Sequence, residues 1–213
     1  MLWILLAAQL RLPIPVGLRF PDVRSIFSPD DMPAYVQRAG VTRFVPTRTT
    51  IRPDGTPRDC SVESSSGDPK LDIHTCAIIL RRAKFEPARW VDGSPAYAIV
   101  TAPVTWAIGD DPSKGEIERA FPPDIELSVN RLPAGVGRHV AVRLKLAVDK
   151  NGRVVDCGEA PPVLEADRKP KPPELVKVSC DQAISQFIAI PAKDDAGEPV
   201  RSVQSASVII SGP

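Results

Sequence analysis

The sequence predicts an α+β fold of two tandem β-β-α-β units, each a three-stranded antiparallel sheet with one helix on a face. Three observations predict it. A passage around Asp54-Gly55 and Asp59-Cys60 recurs around Asn151-Gly152 and Asp156-Cys157. Gly55 and Gly152 lie 97 residues apart, as do Cys60 and Cys157, while Pro87 and Pro191 lie 104 apart, as do Gly93 and Gly197. An internal period sets the organisation of a chain before any local signal does. Within each copy, apolar residues alternate on both sides of a turn and then change to helical spacing. Each copy also carries two cysteines. The offsets slip where the first copy's Ser64–Pro69 is replaced by the longer Pro161–Pro173, which is rich in proline and charge, as surface loops tolerate.

The elements follow in order. Residues 1–29 form an apolar, signal-like start and an irregular segment. Met1–Leu10 is too short for a bilayer, which needs about 20 residues, and fits the apolar core of a secretory signal peptide. No Lys or Arg precedes that run, and no small-x-small cleavage site follows it. Residues 30–108 form the first unit. Asp30–Gly40 reads as a short helix capped by Asp30 or Asp31, and Phe44–Ile51 as a strand. In Pro53-Asp54-Gly55 the proline presets φ and the glycine supplies a positive φ, so the chain returns as Pro57–Glu63. After the loop Ser64–Asp68, Asp68-Pro69 is an N-cap followed by proline in the first helical position. The helix Pro69–Lys84 carries Leu71, Thr75, Ile78, Ile79 and Ala83 as its apolar stripe with Cys76 beside it, and Arg81, Arg82 and Lys84 in its last turn. Tyr97–Ile108 is the third strand, with Ala98, Val100, Ala102, Val104 and Trp106 on one side.

Residues 109–125 read as a linker and 126–213 as a second, degenerate unit entered at Leu127–Asn130. Its strand His139–Asp149 puts Val140, Val142, Leu144, Leu146 and Val148 on one face and Arg143 and Lys145 on the other. Lys150-Asn151-Gly152 turns into Val154–Gly158, Pro173–Ile188 is the helix, and Val200–Ile210 the last strand.

Composition narrows the functional classes. A 213-residue chain with 43% hydrophobic and 25% charged residues is ordinary for a globular protein. Its net charge of +1 and 5% aromatics give neither the basic patch nor the stacking platform that nucleic-acid binding uses. Four cysteines allow three connectivities. Cys60–Cys76 with Cys157–Cys180 keeps each bridge inside one copy and implies an oxidising compartment. Four buried free thiols, or zinc held by His74 with Cys60 and Cys76, stand beside that pairing as alternatives. No nucleophile-elbow, zincin or phosphate-loop motif occurs. His74 and His139 lie in different copies, Ser64–Ser66 has no adjacent base, and Asp59 and Asp156 lack the loop of a paired-aspartate catalyst. No enzyme activity, cofactor or metal is expected.

The combination Asp54-Gly55, Ser65-Ser66-Gly67, Leu71-Asp72, Phe85-x-Pro87-Ala88 and Gly93-x-Pro95 resembles the C-terminal domain of the TonB family of energy transducers. The resemblance covers about Asp30–Ile108 well and Gly135–Ile210 weakly, since the second copy lacks the Ser-Ser-Gly and Leu-Asp pieces. It implies a periplasmic or secreted, non-catalytic protein of transmembrane transport that contacts an outer-membrane receptor or another envelope protein. The mode implied is strand addition at an exposed edge, where backbone hydrogen bonds supply affinity. That edge falls on Tyr97, Ala98, Ile99, Val100, Thr101, Ala102, Pro103 and Val104, with Val200–Val208 as its counterpart. A transducer also needs a membrane-spanning helix and a long proline-rich spacer. This sequence shows no spanning segment, and Lys169–Pro173 is only five residues long. The alternative is therefore a structural envelope protein whose copies cap each other's edges, with self-association as a further form of partnership.

Overall fold

The computed structural model describes residues 26–107, 122–160 and 171–213. The expected signal-like start, Ile108, most of the linker and most of the proline-rich insertion lie outside the described residues.

A 3-10 turn, Pro29–Asp31, precedes helix α1 (Ala34–Ala39). The expected single helix Asp30–Gly40 is broken at Met32, whose ψ of 116° is extended. Pro33 is the cause, because the ring of a proline pushes the preceding residue out of the helical region. Strands β1 (Arg43–Ile51) and β2 (Pro57–Val62) form the first hairpin. Helix α2 (Pro69–Arg82) starts where Asp68 accepts hydrogen bonds from the amides of Lys70 (3.0 Å) and Leu71 (3.2 Å). It ends short of Lys84 because Ala83 is already extended. Strands β3 (Ala88–Arg89) and β4 (Pro95–Trp106) complete the first half.

Strand β5 (Ile125–Ser128) opens the second half and straddles the expected linker boundary. Then come β6 (His139–Val148), β7 (Val154–Glu159), α3 (Pro173–Gln186), β8 (Ala192–Lys193), β9 (Pro199–Val200) and β10 (Ser202–Ser211). Helix α3 stops at Gln186, with Phe187 extended, rather than at Ile188. The expected last strand from Val200 is divided: Val200 pairs with Ala192 in a separate β8–β9 ladder, and the long strand begins at Ser202.

The main correction concerns the sheets. The sequence assigns each copy its own three-stranded sheet, with copies that cap each other's edges as the alternative, and the strands run continuously in the order β2-β1-β4-β10-β6-β7. The join is a parallel pairing of β4 with β10, in the register Tyr97 to Ser202, Ala98 to Val203 and Ile99 to Gln204. All other pairings on this path are antiparallel.

Helices α2 and α3 cover opposite faces of this sheet. Leu71, Ile78 and Ile79 of α2 pack in one core with Val45, Ile51, Ala98, Val100, Val104 and Trp106. Leu175 and Ala183 of α3 pack in a second core with Val140, Val142, Leu144, Leu146, Val148, Ala206, Val208 and Ile210. At the join, Ala98, its neighbour Val203 and the next neighbour Ala147 all belong to the α2 core. The adjacent row, Ile99, Gln204 and Leu146, points the other way, and Leu146 belongs to the α3 core. Leu71, Ile78, Leu144 and Leu146 are fully buried, and each such side chain stabilises by roughly 1.5–3 kcal/mol.

The start of the described chain is pinned to α2. His74 Nε2 hydrogen-bonds the Asp31 carbonyl at 2.8 Å, and Trp106 lies edge-on to Phe27 with centroids 5.5 Å apart. Arg82 pairs with the Asp31 carboxylate and holds it down to about 2, well below the usual range. A carboxylate with a depressed folded pKa stabilises above its unfolded value of about 3.9 and loses that contribution as pH falls toward its folded value. Between pH 4 and pH 2 the urea midpoint should therefore fall more steeply in the wild type than in Asp31→Asn, which lacks the titrating group.

Candidate functional site

The residues that carry the motif hold the scaffold. Gly55 has φ +86° and Gly152 φ +83°, the left-handed region that glycine occupies without cost. A Cβ on Gly55 would sit 2.1 Å from the carbonyl oxygen of Phe85, and one on Gly152 would sit 2.2 Å from that of Ala189. The segment after each helix is docked on the turn: the Phe85 amide donates to the Gly55 carbonyl (2.9 Å), and the Ala189 amide to the Gly152 carbonyl (2.8 Å). Phe85 and Ala88 are buried in the α2 core, and Pro87 packs against Gly55. Gly93 (φ +81°) closes the tight turn Trp90–Gly93 that leads into Pro95 and β4.

Ser65, Ser66, Gly67, Leu71 and Asp72 form one entry device for α2. The Asp72 carboxylate accepts the Ser65 hydroxyl (2.7 Å) and the Ser66 amide (3.2 Å). Gly67 turns the loop with φ +85°, and Leu71 is fully buried. Ser65 thus donates to a structural carboxylate, and no imidazole takes part. Asp72 is itself buried, so Asp72→Ala should leave the loop amide and hydroxyl without their acceptor. It should lower unfolding free energy by about 1–3 kcal/mol in urea denaturation, whereas Lys70→Ala should change little.

All four cysteines are bridged, Cys60–Cys76 and Cys157–Cys180, each with Cα atoms 5.5 Å apart. Each bridge ties the second strand of a hairpin to its helix on the covered face. The zinc reading for Cys60 and Cys76 is removed, because their sulfurs bond each other. His139 Nδ1 meets Ser211 Oγ at 3.0 Å on the second half, far in the topology from His74 on α2. Asp59 pairs with Arg58, and Asp156 accepts the Cys157 amide. One hollow of about 380 Å³ lies at the end of β4, lined by Phe27, Met32, Val104, Trp106 and neighbours, with no titratable side chain among its lining residues. Among the described residues no group of three His, Cys, Asp or Glu is placed to hold a metal. Among them no helix is long and apolar enough to cross a membrane.

The expected edge, Tyr97–Val104, is the remaining candidate. From Ala98, opposite Ile51, to Trp106, opposite Arg43, β4 is paired to β1. Backbone groups of successive strand residues point alternately to the two sides. The Ala102 carbonyl faces β1, where Thr47 Oγ1 donates to it at 2.9 Å, so the odd-numbered residues face β10. That outer side is not open over the eight residues, which corrects the expectation. Tyr97, Ala98 and Ile99 are in register with β10. The Thr101 carbonyl accepts Arg143 Nη2 at 3.0 Å, a side chain that reaches past Ser205 from β6. Burial pushes the Arg143 guanidinium down to about 10, which leaves it charged at neutral pH. Pro103 lacks an N–H, a familiar edge protection. Beyond Ile99, Val100–Trp106 has no strand on this side among the described residues. The counterpart edge on β10 is likewise shared, by β4 at Ser202–Gln204 and by β5 at Val208–Ser211.

Ion pairs flank the join. Arg52 at the end of β1 makes three contacts of 2.9–3.1 Å with the Asp195 carboxylate in the β8–β9 turn. Arg201 lies 5.3 Å from the centroid of Trp90 and reaches Ser94 Oγ (2.8 Å) and Asp92 (3.4 Å). The Arg52 hydrogen bond holds the Asp195 carboxyl below its ordinary value, so this contact weakens in acid. Sequence reasoning missed Arg52, Arg201 and Asp195 as bridging residues. Each is a charge in or beside a turn, and nothing local names its distant partner.

The order β-β-α-β, the glycine turn docked under the post-helix segment and the Ser-Ser-Gly/Asp72 device are all in place in the first half. Residues 32–108 match the family model of the Gram-negative bacterial TonB protein C-terminal. The matched stretch spans α1 to the end of β4, and the match does not extend to the second half. TonB C-terminal domains are periplasmic, non-catalytic, envelope-associated domains of transport that interact with outer-membrane receptors, and the two disulfides fit an oxidising compartment. No curated protein and no solved structure gives a significant match to the chain.

Proposed function

We propose that the chain is a non-catalytic periplasmic protein of the TonB C-terminal type in which a divergent second copy closes the strand edge of the first. The observation that carries this reading is the parallel pairing of β10 with Tyr97–Ile99 of β4. Where it is paired, at Tyr97–Ile99, the edge has no free backbone groups for a receptor segment. Arg143 on the Thr101 carbonyl and the proline at position 103 extend the protection. The role is then structural: one sheet with a helix on each face, stapled in both halves, standing in the envelope without energy transduction.

A second reading is favoured by the parting of β4 and β10 after Ile99 and Gln204. In it, an outer-membrane receptor segment adds along Val100–Val104. Crosslinking pull-down from cell envelopes with the disulfide-intact chain separates the two. The closed reading expects no outer-membrane receptor. Recovery of one, lost in Thr101→Pro but retained in Lys70→Ala, would overturn it. Thr101 suits this purpose because its backbone N–H faces away from β1, so the change spares the β1–β4 ladder.

A further inference from the structure

The segment docked after each helix presents different outer side chains in the two halves. In the first, exposed Lys84 and Glu86 flank the buried Phe85. In the second, the residues 104 positions further on are Ile188 and Ile190, on either side of the buried Ala189. They are 67% and 64% accessible, and Ile184, about one turn before Ile188 on α3, is 49% accessible. Both segments dock on their glycine turns in the same way, Phe85 on Gly55 and Ala189 on Gly152. The fold therefore accepts charge at these two positions, and its packing does not call for isoleucine there.

The isoleucines are also held in place. With Ala189 turned inward, its neighbours on either side face out. The Ala189 amide donates to the Gly152 carbonyl (2.8 Å), Gln204 Nε2 donates to the Ile190 carbonyl (2.9 Å), and Ile188 forms a β-bridge with Arg153. A backbone fixed in this way has little freedom left to lose on binding.

Cations surround the patch. Arg153 lies alongside Ile188, Lys150 precedes it in the same turn, and Lys193 follows Ile190 by three residues. All three are exposed, and their side chains make no ion pair or hydrogen bond among the described residues. The acids nearby are mostly committed. Asp149 accepts the amides of Asn151 and Arg153, Asp194 those of Ala196 and Glu198, and Asp181 pairs with Lys177. Glu198 is the acid left uncommitted against these three cations.

We infer that this face of the second half docks on an anionic phospholipid surface. Ile184, Ile188 and Ile190 enter the boundary between headgroups and acyl chains, and Lys150, Arg153 and Lys193 meet the phosphates. A lipid surface suits a protrusion of three apolar side chains, whereas a stable protein partner covers about 20–30 residues a side. The surface uses no residue of β4, so the inference holds whether that edge is closed or open.

Co-sedimentation of the full disulfide-bonded chain with vesicles tests it. Phosphatidylcholine vesicles with one third phosphatidylglycerol should bind the chain at low salt at least about tenfold more tightly than phosphatidylcholine alone. High salt should erase most of that difference, because it screens exposed charges. Ile188→Lys combined with Ile190→Glu writes the first half's residues into the second and keeps the net charge. It should lower binding to the anionic vesicles by at least about tenfold, with the urea midpoint showing that the fold is kept. Arg153→Ala with Lys193→Ala should lower it by about tenfold or more. Ile73→Ser removes an equally exposed isoleucine from α2, on the opposite face of the sheet, and should leave binding unchanged. No binding to anionic vesicles, or equal binding by the wild type and the Ile188→Lys/Ile190→Glu variant, overturns the inference. Self-association of the lipid-free chain that is lost in that variant, without vesicle binding, would assign the face to a second copy and overturn it as well.

Discussion

Gly55→Ala is expected to unfold the first half or leave it barely stable, with a loss of roughly 3–5 kcal/mol. That is a large share of the roughly 5–15 kcal/mol that holds a domain together. Two effects add. An alanine at φ +86° carries the left-handed penalty of about 1–2 kcal/mol. Its Cβ would also collide with the Phe85 carbonyl at 2.1 Å, which is backbone and cannot rotate away. The docked segment must lift, losing the Phe85–Gly55 hydrogen bond and the burial of Phe85 and Ala88. Gly93→Ala is the control: its φ is also positive at +81°, but a Cβ there meets nothing within 4 Å. It should lose only about 1–2 kcal/mol, the conformational penalty alone. Urea unfolding of the two variants checks the difference, and equal losses would show that the close approach of Phe85 is unimportant.

The second large effect is expected from the disulfides. Cys60→Ala with Cys76→Ala, or Cys157→Ala with Cys180→Ala, should each cost about 3 kcal/mol from the entropy of closing loops with separations of 16 and 23 residues. The bridges lie on opposite faces and share no contacts in the two cores, so their losses should add. Removing both should leave the chain largely unfolded at 37 °C, read by circular dichroism. The same loss should follow a reductant in the wild type, and a wild type as stable with reductant as without would contradict it.

Local chemistry was legible in the sequence, whereas the joining of the halves stood only as the alternative of copies capping each other's edges, with no register. Asp68 caps α2 because a carboxylate before proline can do little else there, and Leu71, Ile78 and Ile79 are buried as their spacing predicts. The alternation of Val140 to Val148 also faces one core throughout. Helix ends were harder. Ala83 and Phe187 leave the helix early so that Phe85 and Ala189 can reach the glycine turns, a tertiary demand with no local signal. The β4–β10 pairing was hidden for a related reason. Period-two alternation tells which face a side chain takes, not which strand lies alongside. A strand with one apolar face and proline at position 103 reads as an edge strand, and the shape of the seam depends on residues as distant as Arg143 and Arg201.

Backbone amide hydrogen exchange at Ile99, followed by NMR on the full chain, tests the central claim most directly. Ile99 faces β10, while its neighbour Val100 faces β1. If β10 closes the edge, the Ile99 amide should exchange as slowly as that of Val100, and both far more slowly than that of Thr105, which lies beyond the paired stretch. An Ile99 amide that exchanges as fast as Thr105 while Val100 stays protected would mean that the edge is open, contradicting the closed sheet and every functional conclusion drawn from it.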